Sequence, residues 1–118
     1  MIDFPDDLDL LHEYWPPDLG GLYWVGRDVF GRNDPKPQRP YVVVAMPGGD
    51  RADLVVVRRS TSAGTGVYHD AHPEVGLEEG WFCEVRNAST ALWTVSVVSE
   101  VGRVLSEEEL AWVMREFL

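Results

Sequence analysis

The chain has 118 residues, 45% of them hydrophobic, which bounds it to one domain with one core and excludes a disordered chain. No run approaches the roughly 18 apolar residues of a membrane span, and the single Cys83 excludes an internal disulfide and a multi-cysteine metal site. The formal charge of −10 argues against a surface that binds polyanions over its whole extent.

The charge is unevenly spread. Residues 1–18 carry six acids (Asp3, Asp6, Asp7, Asp9, Glu13, Asp18) and no Lys or Arg. That is the reverse of a secretory leader's basic start, and with one cysteine it fits a reducing, cytoplasmic setting. Residues 27–59 carry seven basic groups (Arg27, Arg32, Lys36, Arg39, Arg51, Arg58, Arg59) against Asp28, Asp34, Asp50 and Asp53. Residues 60–118 are acidic again. Exposed charges more than about 8–10 Å apart are largely screened at physiological salt, so a local basic face is compatible with an acidic total.

In chain order, Pro5-Asp6-Asp7 followed by Leu8, Leu10, Leu11 and Tyr14 predicts a short helix, capped by Asp6 or Asp7 and stopped by Pro16-Pro17. This acidic helical extension, residues 1–18, is expected to pack on the domain through Leu8, Leu11 and Trp15. It reads as a solvated helix face or, more sharply, as a cover over the basic middle in cis.

Residues 22–25 form the first expected strand, after Gly20-Gly21. Residues 27–40 are polar and proline-rich, a long loop. Strands at 41–45 and 53–59 flank the turn Pro47-Gly48-Gly49-Asp50. Residues 60–79 read as loop. Strands follow at 80–86 and 91–99, the second with Trp93, Val95 and Val97 on one face. The last element is a helix: Ser106 and Glu109 make a capping box, and Leu110, Val113, Met114, Phe117 and Leu118 repeat at helical spacing. Five short strands with little helix between them predict a mainly β fold, a small antiparallel barrel carrying a C-terminal helix.

If the runs around the glycine turn pair as a hairpin, the start of one lies beside the end of the other. Arg39 then falls near Arg58-Arg59-Ser60-Thr61. Guanidiniums and hydroxyls gathered at a rigid sheet end can bind a phosphate; Arg39 can equally serve a surface ion pair. Arg58 and Arg59 point to opposite faces, one open to a polyanion and one to an acid. His69 and His72 lie three apart in a proline-bounded loop with no third ligand evident, which leaves an acid–base role, a metal role or an ordinary loop open. His12 reads as a surface residue. The five tryptophans are core residues or, in part, a base-stacking platform, Trp112 is a candidate partner contact, and Cys83 reads as a small buried residue.

The ordered set Gly-Gly-Leu-Tyr-Trp-Val, polar loop, Arg-Pro-Tyr-Val-Val-Val, turn, apolar strand ending in Ser-Thr-Ser, a later Val-Gly-Leu and Val-Gly-Arg-Val-Leu-Ser-Glu-Glu-Glu-Leu is similar to the MazF, PemK and Kid toxins of bacterial toxin–antitoxin pairs. The resemblance covers about residues 19–118. It implies an SH3-like barrel, a homodimer, no cofactor or metal, and cleavage of single-stranded RNA by its own 2′-hydroxyl. It also implies an antitoxin partner whose disordered segment covers the RNA groove. Arg39 matches the family's catalytic arginine, and Ser60 and Thr61 match its hydroxyl pair. Loop 27–38 matches its mobile loop, whose Arg27, Arg32 and Lys36, together with Arg58 and Arg59 at the strand end, are the expected RNA contacts. The chain departs from the pattern after Val25, where Gly26-Arg27 stands in place of an acid, at Arg58-Arg59, and over residues 81–90. Those departures carry a second expectation, a non-catalytic module of the same barrel that binds an antitoxin or gyrase.

Overall fold

Two strands with unbroken apolar runs organise the structure. In β2 (Gln38–Ala45) residues Tyr41, Val42, Val43 and Val44 are all buried, and in β3 (Leu54–Ser60) so are Leu54, Val55, Val56 and Val57. A strand buried on both faces reads as continuous hydrophobicity rather than alternation. The computed structural model describes residues 14–27 and 34–118. The N-terminal helix expected at residues 5–15 therefore lies mostly outside the described residues, as do His12 and Arg32.

The remaining elements are β1 (Leu22–Gly26), β4 (Val67–His69), β5 (Gly80–Ala88), α1 (Thr90–Ser96), β6 (Val97–Gly102) and α2 (Glu107–Phe117), with a 3-10 turn at Pro73–Val75. The six strands form one antiparallel sheet in the order β4-β5-β3-β2-β1-β6. Among the described residues no ladder joins β4 to β6, so the ring that a barrel requires is open at these two edges.

Each face of the sheet has its own core. On one, Leu22, Val42, Val44, Val55, Val57 and Phe82 pack with Val113 of α2, and Leu110, Met114 and Phe117 lie against them. On the other, Tyr23, Val25, Tyr41, Val43, Leu54 and Val56 pack with Trp93 of α1. Each such side chain contributes about 1.5–3 kcal/mol by leaving water. The α2 capping box forms as its sequence predicts: the Glu109 N–H donates to Ser106 Oγ at 3.1 Å, and the Ser106 N–H donates to Glu109 Oε1 at 2.8 Å.

Residues 91–99 do not form the expected single strand. Residues 90–96 are helical, capped by Ser89, whose hydroxyl accepts the Leu92 N–H at 3.1 Å, and only Val97 onward is strand. Trp93 and Val95, expected on one face, are 0% and 79% exposed. The cause is topological. The chain must pass from β5 to β6 across β3, β2 and β1, and a helix laid on the sheet satisfies its own backbone while Trp93 plugs the core beneath.

Candidate functional site

The hairpin register sets the site. β2 and β3 pair with Tyr41 opposite Arg58 and Val42 opposite Val57, so Arg39 extends toward the end of β3. Arg39 Nη1 donates to Ser60 Oγ at 3.1 Å. Ser60 is buried, and its oxygen also accepts the Ser62 N–H at 3.3 Å. The arginine before one β-run and the hydroxyl beyond its neighbour therefore meet, although 21 positions separate them.

Arg39 is not otherwise bare. Asp34 forks it, Nε to Oδ2 at 2.8 Å and Nη2 to Oδ1 at 2.8 Å. The same carboxylate accepts the Lys36 N–H at 3.0 Å and stands 3.7 Å from Arg58 Nη1. The Asp34 carbonyl accepts Arg27 Nη1 at 3.4 Å. The Asp34 and Arg39 side chains are only 7% and 12% exposed, so solvent screens this pair weakly. The hydrogen bonds from Arg39, with the Lys36 N–H and both guanidinium charges behind them, hold the Asp34 carboxyl down to about 2 against the burial that opposes ionisation. Asp34 was not singled out from sequence. The signal was present: Asp before Pro starts a turn, with its side chain accepting the N–H two residues on.

Arg58 continues a ladder of charges. Its Nη2 meets Glu84 Oε2 at 3.0 Å, and Glu84 also pairs with Arg86. Cys83 Sγ lies 3.9 Å from the same Nη2 and is half-buried.

Arg59 projects to the opposite side and is 1% exposed. Among the described residues it has no carboxylate as a hydrogen-bond partner. Nε donates to His69 Nδ1 at 2.9 Å, and Nη2 donates to the carbonyls of Glu78 at 2.6 Å and of His69 and Asp70 at 3.3 Å. Because Nδ1 accepts, the neutral ring carries its proton on Nε2, which is buried with no hydrogen-bond partner among the described residues. Burial first, then the Arg59 charge, pushes the His69 imidazole down to about 4. His69 stacks on His72 at 4.9 Å, and His72 Nδ1 pairs with Glu74 Oε1 at 2.9 Å. Among the described residues no group of three His, Cys, Asp or Glu is placed to hold a metal ion.

A cavity of about 350 Å³ opens at this sheet end, lined on one side by Trp24, Gln38, Arg39 and Pro40, and on the other by Arg59, Thr61, Leu77 and Glu78. Lys36 and Gly76 complete it.

No family model, no curated protein and no solved structure matches the chain.

The geometry thus gathers Arg39, Ser60, Thr61, Lys36, Arg58 and Arg59 at one end of the sheet, with Arg27 tied to the same loop. It distributes them unequally. Arg58 is paired with acids, and the Arg59 guanidinium is committed largely to carbonyls inside the fold. Of the five tryptophans, Trp24 lines the cavity, Trp93 is core, Trp15 packs half-buried on the α1 side, Trp81 meets Tyr68 edge-on and Trp112 is exposed. No helix of the described residues is long and apolar enough to cross a membrane.

Proposed function

We propose that the chain is an endoribonuclease of the MazF, PemK and Kid type, its curled sheet an open variant of the SH3-like barrel, working as a homodimer under an antitoxin partner. The observation that carries this reading is the 3.1 Å contact between Ser60 and Arg39, the latter lining a cavity together with Thr61. In the reaction the 2′-oxygen of RNA attacks the adjacent phosphorus, and the bond from phosphorus to the 5′-oxygen breaks. The products are a 2′,3′-cyclic phosphate and a 5′-hydroxyl. Glu78, the acid among the cavity-lining residues, is assigned the 2′-hydroxyl proton, and the 5′-oxygen takes one from solvent. Arg39 stabilises the crowded phosphate, while Ser60 and Thr61 position it.

A preorganised donor of this kind is worth about 10²–10³ in rate. Arg39→Ala is expected to lower cleavage of a mixed single-stranded RNA panel by that factor, read as loss of cyclic-phosphate ends. An unchanged rate rejects the reading. One observation favours a second reading, a non-catalytic module that binds a protein partner: the Asp34 fork neutralises Arg39. Growth arrest on expression with intact RNA selects the module, and arrest with cyclic-phosphate fragments selects the nuclease.

A further inference from the structure

The Asp34 carboxylate sits in a complete oxyanion site. Three donors and a further charge surround it: two from the Arg39 fork at 2.8 Å each, the Lys36 N–H at 3.0 Å, and the Arg58 guanidinium in ion-pair range, Nη1 at 3.7 Å. Two guanidiniums and a backbone N–H converging on a pair of oxygens form the arrangement that binds phosphate oxygens. The anion present is supplied by the chain, from the proline-containing segment that leads into β2 rather than from a strand. Ser60 stays on Arg39 Nη1, outside the fork.

We propose that this is a phosphate site held by an internal stand-in, and that a phosphodiester binds by exchanging with the Asp34 carboxylate on Arg39 and Arg58. The proposal rests on reading Arg39 as the phosphate-binding group. Exchange conserves the ion-pairing of both arginines, because one anion leaves as another arrives. It also means that Asp34 competes with every ligand of the site, so the affinity of the intact chain is set by a difference between two anions.

The test uses Asp34→Asn, which keeps the shape and removes the charge. The probe is a 2′-O-methyl RNA 12-mer, which cannot form a cyclic phosphate, followed by fluorescence anisotropy at fixed ionic strength. Asp34→Asn is expected to bind it about tenfold to a hundredfold more tightly, the range that charge-assisted hydrogen bonds set. Asp50→Asn, an equal charge change in the exposed β2–β3 turn, is expected to shift binding by less than about twofold. Arg39→Ala added to Asp34→Asn should erase the gain. Equal or weaker binding by Asp34→Asn, an equal gain in Asp50→Asn, or a gain that survives Arg39→Ala overturns the proposal. Should Asp34→Asn fail to fold, the intact chain decides: the Arg39 Nε–H resonance should move saturably on titration with inorganic phosphate, and a stationary resonance overturns the proposal. Cleavage of unmodified RNA, measured alongside, separates the two ideas. Tighter binding without cleavage rejects the nuclease and keeps the exchange; cleavage by the parent chain with binding indifferent to Asp34 does the reverse.

Discussion

Replacing Arg59 by methionine tests how the end of the sheet is held. Among the described residues the guanidinium is buried without an acid partner, and its two shortest bonds run to His69 Nδ1 at 2.9 Å and the Glu78 carbonyl at 2.6 Å. Hydrogen bonds from a charged donor contribute about 1.5–3 kcal/mol each, so these two contribute about 3–6 kcal/mol. Against that stands the cost of desolvating a guanidinium, which methionine does not incur and which lowers the Arg59 pKa. Methionine fills much of the stem's volume but leaves His69 Nδ1 and three carbonyls without their donor. The balance is a loss of about 3 kcal/mol, near the low end for breaking a buried charged network. Urea denaturation should show a lower midpoint with an unchanged slope, and the melting temperature should fall by roughly 10 °C. Arg59→Lys should fare little better, since an ammonium cannot reproduce the divergent donors. A methionine variant as stable as the parent, or more so, refutes the reasoning: the carbonyl net would then only repay the burial of the charge.

His69 has a folded-state pKa of about 4, below its ordinary 6.5, so its neutral form belongs to the folded state. Its contribution is whole above pH 6.5 and is lost as pH falls from 6.5 to 4, by roughly 3–4 kcal/mol at about 1.4 kcal/mol per unit. His69→Asn, which offers Arg59 an acceptor where Nδ1 stands, should flatten the stability curve in that window, and an unchanged slope would refute the assignment. The Asp34 window, from 3.8 down to about 2, lies lower and should survive that substitution. Gly66→Ala should cost several kcal/mol or abolish folding: Gly66 has φ +107°, and a Cβ there meets the Phe82 carbonyl oxygen, which is backbone and cannot yield. A thermal melt within about 2 °C of the parent would contradict it.

Much of this structure was legible because its signals are local. The glycine turn and two apolar runs define β2 and β3, and hairpin geometry then carries Arg39 to Ser60 without any tertiary information. Ser106 and Glu109 announce α2 in the same way. Residues 91–99 failed because Ala-Leu-Trp-Thr-Val-Ser-Val-Val-Ser satisfies both periods. Trp93 and Ser96, the two buried positions of α1, fit a helix three apart, and strand propensity tipped the balance wrongly. The need for a crossover from β5 to β6 decides the matter, and it appears only once the strand order is known. The extension of β2 back to Gln38 was hidden by Pro40, whose missing donor suggested a loop. Asp34 was hidden by its context, one acid in a polar stretch. Its role depends on Arg58, 24 residues further on, turning to the same side as Arg39.

Among the described residues, the basic excess along residues 27–59 is interleaved with acids at the end of the sheet. Glu84, from the acidic third of the chain, is brought between Arg58 and Arg86 by the β3–β5 ladder, and Asp34 stands between Arg58 and Arg39. The result is an alternating row, Arg86, Glu84, Arg58, Asp34, Arg39, whose three guanidiniums and two carboxylates leave a single net positive charge. Such a row draws a polyanion from afar less strongly than a cleft lined by one sign of charge does. It can accept an anion only where one of its own acids gives way. Glu84 is anchored in β5, where it stands opposite Arg58 of β3, whereas Asp34 precedes β2 outside the sheet. Of the two acids, Asp34 is therefore the one whose displacement leaves the ladder intact, and its position beside Arg39, Ser60 and the cavity puts that exchange where the chemistry is proposed.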